Sequence, residues 1–280
     1  MKEDDKYTPG KYWEERLSKD FSLTGVGSLG FGLEYNIWLY RARLQVLREL
    51  LKEKKIDCQG KRLLDIGIGT GFYINFWEKL GIKDTTGIDM TTKSIEELKK
   101  KYRNYKFIKA DISDKNLPLK GKFDIITAFD VLFHIVKEED FKQAIKNIKE
   151  LSHKDTVILI MDNFLKMYKP ARGHENDRTL DRYKKVFQDY NIKIVSIKPI
   201  FYFMNTPIDI ERINSKSAHF LIEKIWKINN KIRYYSRRLK IEKVINYLLG
   251  LTLYTLDRII LRCVHEGPST KLLLAKIKRD

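Results

Sequence analysis

The sequence predicts an α/β protein: a doubly wound, seven-stranded sheet with an N-terminal helical lid and a helical insertion before the last strand. Three observations carry this. From residue 62 onward, short apolar runs alternate with segments of helical period, the pattern of right-handed βαβ units on a parallel sheet. The first apolar run passes directly into "LLDIGIGTGFY" (residues 63–73), in which three glycines alternate with single residues. Late in the chain, two further strand-like runs bracket a long helical segment rich in Lys and Arg.

The elements follow in order. The opening forty residues carry many aromatics, among them Tyr7, Tyr12, Trp13, Tyr35, Trp38 and Tyr40, around the glycine-rich "GVGSLGFG". They read as a short helix, a hinge-like loop, then a helix from about Glu34 to Glu53. "RLLDIG" is a buried strand, and "FYINFWEKLG" a helix closed by Gly81. "TTGID" is the second strand, after which Ser94 and Glu97 have the spacing of a capping box opening "SIEELKKKY". "YKFIKAD", "FDIITAFD" and "TVILIMD" are strands three to five, the last two separated by the helix "EEDFKQAIKNIKELS". "TLDRYKKVFQDY" reads as a helix, "IKIVSIKPIFYF" as the sixth strand and "STKLLLAKIKRD" as the seventh. Between those strands, residues 217–249 place Leu221, Ile225, Ile228, Ile232, Tyr235 and Leu239 at helical spacing with Lys and Arg between them. Core cover is the default expectation for that stripe.

The net charge of +18 is unevenly placed. Residues 1–165 hold 30 Lys and Arg against 26 Asp and Glu, whereas residues 166–280 hold 25 against 11. A basic half fits an acidic partner: a phosphorylated substrate, an anionic membrane surface or a nucleic acid. Two distant cysteines, Cys58 and Cys263, without a Cys/His cluster, fit a reducing compartment and argue against a structural zinc; no metal site is expected. The opening residues have no apolar h-region of a secretory signal, and "VINYLLGLTLYTL" is too short to span a bilayer. The expected location is cytoplasmic, with peripheral attachment to a membrane left open.

In an open α/β sheet, ligands bind beyond the carboxyl ends of the strands, where a glycine turn lets them approach the backbone. A nicotinamide fingerprint would need a third glycine where Phe72 stands; the run is instead DxGxGxG, from Asp65 to Gly71. Two more acids close the next strands. Asp89 ends "TTGID", where a carboxylate can accept both hydroxyls of a ribose, and Asp111 ends "YKFIKAD", placed to accept an adenine amino group. A cofactor with a ribose, an adenine and no pyrophosphate would use this set. Asp65 fits as the group that orders the loop and faces an ammonium directly or through water.

From about residue 60 to 165 the chain resembles the class I S-adenosylmethionine-dependent methyltransferases, on Rossmann-like cores. The resemblance implies that Gly67, Gly69 and Gly71 wrap the methionine moiety, with Asp65 as the motif's leading acid. It also implies that Asp89 takes the ribose, that Asp111 takes the adenine with Met90 and Ile112 flanking it, and that the last strand is antiparallel. The expected segments are 1–55, a helical cap or lid; 56–207, the cofactor-binding core; 208–268, a basic helical insertion; and 269–280, the last core strand. Softer likenesses in the flanks, such as "FDVLFHI" and "GHENDRTLDRYKKVF", are similar to small-molecule methyltransferases of glycan assembly.

Methyl transfer to a hydroxyl requires in-line geometry, exclusion of water and a proton acceptor. His134, just past the fourth strand, is the candidate base, and His174, in a polar loop after the fifth strand, is the second. Tyr12, Tyr35, Arg41, Asp162 and Asn163 are candidate substrate contacts. The expected reaction is methylation of a hydroxyl on a sugar or related small molecule, a glycan or phosphorylated acceptor that is free or linked to a nucleotide or lipid. RNA or amine methylation and a non-catalytic cofactor-binding subunit stay open. Exocyclic-amine and cytosine C5 methylation are disfavoured, because "FDVLFH" stands in place of an [ND]PP[FY] loop and neither cysteine is near. The role of the basic insertion toward membrane, substrate or another subunit is left open.

Overall fold

A computed structural model describes residues 8–278; Tyr7 and the ends of the two terminal segments lie outside the described residues. Four helical pieces precede or flank the first strand: α1 (Pro9–Lys19), α2 (Leu23–Val26), α3 (Gly32–Glu53) and, after β1 (Arg62–Ile66), α4 (Ile74–Lys79). Then follow β2 (Asp84–Asp89), α5 (Thr92–Lys101), β3 (Lys106–Lys109), β4 (Phe123–Phe129), α6 (Glu138–Glu150), β5 (Ser152–Asp162), α7 (Leu180–Asp189) and β6 (Ile192–Pro199). Two long helices, α8 (Lys216–Arg238) and α9 (Glu242–Ile260), separate β6 from β7 (Lys271–Ile277).

The sheet order is β3-β2-β1-β4-β5-β7-β6. β1 to β5 pair in parallel, while β7 runs antiparallel to both β5 and β6. Strand side chains alternate between the two faces, and each central strand splits its apolar residues accordingly. Leu63, Ile125, Leu159, Met161 and Leu272 join the core under α3 and α9. Leu64, Ile126, Ile158, Ile160 and Leu273 join the one under α6 and α7. Burial on both faces is why these strands read as continuous apolar runs.

α9 lies along α3 where Gly250 meets Trp38; a Cβ there would stand 2.4 Å from the indole. Its far end is tied by Asp257, whose buried carboxylate accepts the N–H groups of Tyr202, Phe203 and Met204 at 2.8, 2.7 and 3.3 Å. The sequence expectation for α5 needs correction. Thr91, not Ser94, is its N-cap, accepting from the Ser94 N–H at 3.3 Å. Ser94 sits inside the first turn and donates to the Gly69 carbonyl, and Glu97 pairs with Lys93 and Lys100 rather than reaching back.

Asp257→Ala would leave three buried N–H groups unanswered. Loss of about 3 kcal/mol or more is expected from the charge-assisted hydrogen bonds removed, read as a lowered urea midpoint. A loss below about 1 kcal/mol would show that the turn after β6 finds other partners.

Candidate active site

The carboxyl ends of β1, β2, β3 and β4 open into one cleft of about 690 Å³. That is the size of a small-molecule site. Its floor is the glycine turn after β1. Gly67, Gly69 and Gly71 all have positive φ, at 66°, 54° and 72°. Gly67 and Gly69 line the cleft, whereas Gly71 does not. A Cβ on Gly71 would meet Leu98 at 2.6 Å and Ile74 at 3.0 Å, so this glycine lets the turn pack on α5 instead of approaching a ligand. Its expected place in the cofactor contact set is corrected on that ground.

The three expected acids stand together in the cleft with Met90 and Ile112 beside them. Asp65 is fully enclosed and accepts from the Thr127 hydroxyl at 2.6 Å. Burial pushes its carboxyl up to about 7, the Thr127 bond opposing and the nearby Asp89 charge adding. A cation seated against Asp65 would draw that proton off. Asp89 is also raised by burial, against the donors it collects: Gly69 N–H on Oδ2 at 2.9 Å, and Thr91 N–H and hydroxyl on Oδ1 at 2.9 and 2.7 Å. Asp111 takes Ser113 N–H and hydroxyl on Oδ1. Carboxylates that accept from amide and hydroxyl donors have the chemistry to accept from ribose hydroxyls and an amino group as well.

α1 roofs this cleft. Glu14 accepts Thr92 and Lys93 N–H at 2.5 and 3.0 Å, adding its charge to the N-terminus of α5. Trp13 lines the cleft and meets His134 edge-on, ring centroids 4.9 Å apart. Val26, from α2, sits over Gly69.

His134 lines the cleft, in the short turn Leu132–His134 after β4. Its loop is stitched from the far side. Asn176 N–H donates to Phe133 O at 2.7 Å, and the buried Arg178 donates to Ile135 O at 2.8 Å and to Glu138 at 2.9 Å. His134 Nδ1 lies 3.1 Å from the His174 carbonyl oxygen. A carbonyl can only accept, so Nδ1 carries the hydrogen and Nε2 keeps its lone pair. Burial pushes the imidazole down to about 3, the backbone bond to His174 opposing. His174 itself does not line the cleft; it stacks on His134 at 5.4 Å and on Tyr12 at 4.8 Å. Both belong to the wall behind His134.

Four expected substrate contacts are elsewhere. Tyr35 is core, its hydroxyl donating to Met204 O at 2.7 Å. Arg41 is exposed, lying over Trp38 at 4.5 Å on the side of α9. Asp162 is buried at the β5 end, accepting from Tyr183 and from Asn163 N–H. Asn163 bonds Asp177 at 2.6 Å and Thr270 at 3.2 Å. Asn163 thus joins the loop after β5 to the start of β7, whose Lys271 pairs with Asp162 in the sheet.

The residues found only in the structure are Asp130 and Arg43. Asp130 follows β4, lines the cleft in a left-handed backbone conformation (φ 58°), and pairs with the buried Arg43 at 2.9 Å. Arg43 is sandwiched by Tyr40 and Phe201 at 5.1 and 5.0 Å. Asp130 follows the rule that singled out the other acids, an acid at a strand's carboxyl end. Arg43 is a helix residue with no local signal. Tyr40, Phe72, Tyr73 and Phe129 form the adjoining aromatic wall. No group of acids, histidines and cysteines among the described residues is arranged to hold a metal ion.

Residues 64–160 match the family model described as a methyltransferase domain. The protein N-lysine methyltransferase METTL21A of Danio rerio is 27% identical over 153 residues. The match spans 52% of this chain and only 64% of that relative. Among solved structures, the magnesium protoporphyrin IX methyltransferase of Synechocystis, solved with bound S-adenosylmethionine, superposes with a TM-score of 0.52 at 15% identity. It covers 69% of this chain and 91% of its own. An S-adenosylmethionine-dependent methyltransferase of Leishmania major gives 0.55 at 18% identity, over 68% and 75%. At these identities the structural likeness shows a shared fold.

Two outcomes follow from the roofed cleft. Glu14→Ala removes the acceptor that holds α1 on α5; faster hydrogen exchange across residues 9–31 is expected, with β1 and β4 unchanged, and equal exchange would show that α1 is held otherwise. The His134 ring, with a folded value near 3 against 6.5 for an exposed imidazole, stays neutral as pH falls. The unfolded chain takes up a proton below 6.5 that the folded chain refuses, so this site withdraws stability as pH drops from there toward 3. Its ring resonances should show no inflection between about pH 5 and 8; an inflection near 6.5 would mean that the ring reaches water.

Proposed function

We propose that the protein, whose residues 64–160 match a methyltransferase domain, is a class I methyltransferase that binds S-adenosylmethionine across the carboxyl ends of β1–β3 and methylates a hydroxyl of a sugar or related small molecule. The acceptor is free or joined to a nucleotide or lipid. The observation that carries the cofactor is the meeting of Asp65, Asp89 and Asp111 with a two-glycine approach in one cleft. Asp89 and Asp111 hold the ribose and adenine, Met90 and Ile112 flank the ring, and Asp65 faces the ammonium. The cofactor supplies an electrophilic methyl group on a sulfonium.

This chain's residues do the rest. The aromatic wall and the α1 roof exclude water and hold the acceptor, with Asp130, fixed by Arg43, accepting from its donors. His134 presents Nε2 to the acceptor hydroxyl. A ring held near 3 stores no proton in the resting protein, yet suffices here, because a hydroxyl oxygen becoming alkylated is a far stronger acid than the ring. The roof supports a small acceptor over an extended polymer. The amine reading is kept by one finding, the likeness to a protein lysine methyltransferase.

Calorimetric titration with S-adenosylhomocysteine tests the cofactor, with NAD as control. Micromolar binding of the first alone is expected, weakened at least about tenfold by Asp89→Ala through loss of charge-assisted hydrogen bonds. Binding of NAD instead, or of neither, would remove the reading. His134→Ala should keep that affinity and lose turnover once an acceptor is found; unchanged turnover would remove His134 from the chemistry. A folded, cofactor-binding protein without turnover on sugar, lipid, RNA or amine acceptors would be a binding subunit.

A further inference from the structure

The helical insertion inverts the rule by which the rest of the molecule is built. α8 turns Ile222, Asn229, Arg233 and Ser236 inward. Of the stripe expected to cover the core, Ile225 packs against it, whereas Leu221, Ile228, Ile232, Tyr235 and Leu239 face out, 38–67% exposed. Next to it on the same helix runs a second stripe, Lys224, Lys227, Lys231 and Arg238, also exposed. On α9, Val244, Leu248, Leu251, Thr255 and Ile259 repeat at helical spacing on the outer face. That face carries no charge for about 24 Å of helix: Glu242 and Lys243 lie in its first turn, Asp257 is buried, and Arg258 folds back to the Ile200 carbonyl. Residues 216–260 together hold ten Lys and Arg against three Asp and Glu.

We propose that α8 and α9 dock the protein on the surface of an anionic lipid bilayer. The apolar stripes enter the boundary between headgroups and acyl chains, and the lysines and arginines beside them meet lipid phosphates. An uncharged face joined to a basic one is the pattern of a helix lying in the interface. No described helix is long and apolar enough to cross a membrane, which leaves the in-plane mode. Tyr234, Tyr235 and Tyr247, each 43–62% exposed, have the apolar body and polar tip that suit headgroup depth. A two-fold contact through α8 would set one basic stripe against another, and one through the uncharged α9 face is the dimer that the test below would reveal. A nucleic acid is disfavoured by α9, whose face offers no cation to a phosphate.

The surface continues to the cover of the cleft. Arg237 donates to the Gly30 carbonyl, Arg233 lies over Phe31 at 4.0 Å, and Leu29 and Leu33 beside them are 57% and 43% exposed. A bilayer against α8 and α9 therefore touches the segment joining the roof to α3.

The test is co-sedimentation of the full chain with vesicles of phosphatidylcholine alone and of phosphatidylcholine mixed with phosphatidylglycerol. Binding to the mixed vesicles at least about tenfold tighter is expected, lost at high salt. Leu248→Glu with Leu251→Glu, and separately Lys224→Glu, Lys227→Glu and Lys231→Glu together, should each weaken it about tenfold or more, with circular dichroism and thermal midpoint unchanged. Absence of vesicle binding, equal binding to both compositions, or folded variants that bind like the parent would overturn the proposal. So would a dimer dissolved by the α9 substitutions, or RNA binding, in a protein that ignores vesicles.

Discussion

A carboxylate as buried as Asp89 must be supplied with donors, and the way it collects them organises the cleft. Oδ2 takes the Gly69 N–H from the turn after β1; Oδ1 takes both donors of Thr91 at the start of α5. One side chain thus fixes the glycine turn and the cap of the next helix relative to each other. Thr91 in turn caps Ser94, and the Ser94 hydroxyl returns to the Gly69 carbonyl, closing the circuit. The free N–H groups of that helix start are what Glu14 reaches from α1. Floor, wall and roof meet within a few residues of Asp89.

Desolvation is the second consequence. Covering the strand ends with Trp13 and the aromatic wall raises the buried acids and lowers His134 for a single reason, that the charged form loses water in each case. The cleft therefore rests with its imidazole neutral and Asp65 balanced near neutrality, and a cationic ligand is the species that would recharge it. Burial, not the chain's net basic charge, sets the charge state of these cleft groups.

Much of the sheet was legible in the sequence because strands buried on both faces must be apolar without interruption, and because glycines and acids at strand ends are punctuation that local reading detects. The antiparallel last strand came through family resemblance. The α5 cap was misread because two N-cap candidates, Thr91 and Ser94, stand three residues apart, and the choice is made by a long-range partner, Asp89. Arg41 and Tyr35 were misplaced by a rotation about α3: the helix turns Arg43, not Arg41, toward the cleft, and only the packing of Tyr40 and Phe201 around the guanidinium reveals it. Asp162 and Asn163 look like Asp89 and Asp111 in sequence, but their strand has β7 beside it, contributed from more than a hundred residues away.

The basic insertion covers the core as expected, through Ile222 and Leu253, but only part of its apolar stripe does so. Periodicity reports that a helix has an apolar face and does not report where the face points. On α8 the inner contacts mix aliphatic, polar and aromatic groups: Ile222 and Ile225 pack on the core, Asn229 donates to the Tyr35 hydroxyl at 3.3 Å, and Arg233 is enclosed by Phe31, Tyr35 and Trp226. Burying a guanidinium without a carboxylate requires those rings, since they are its main electrostatic compensation. The same helix leaves Leu221, Ile228, Ile232 and Leu239 outside. Through Arg233 over Phe31 and Arg237 on the Gly30 carbonyl, it also anchors the segment that leads into the roof.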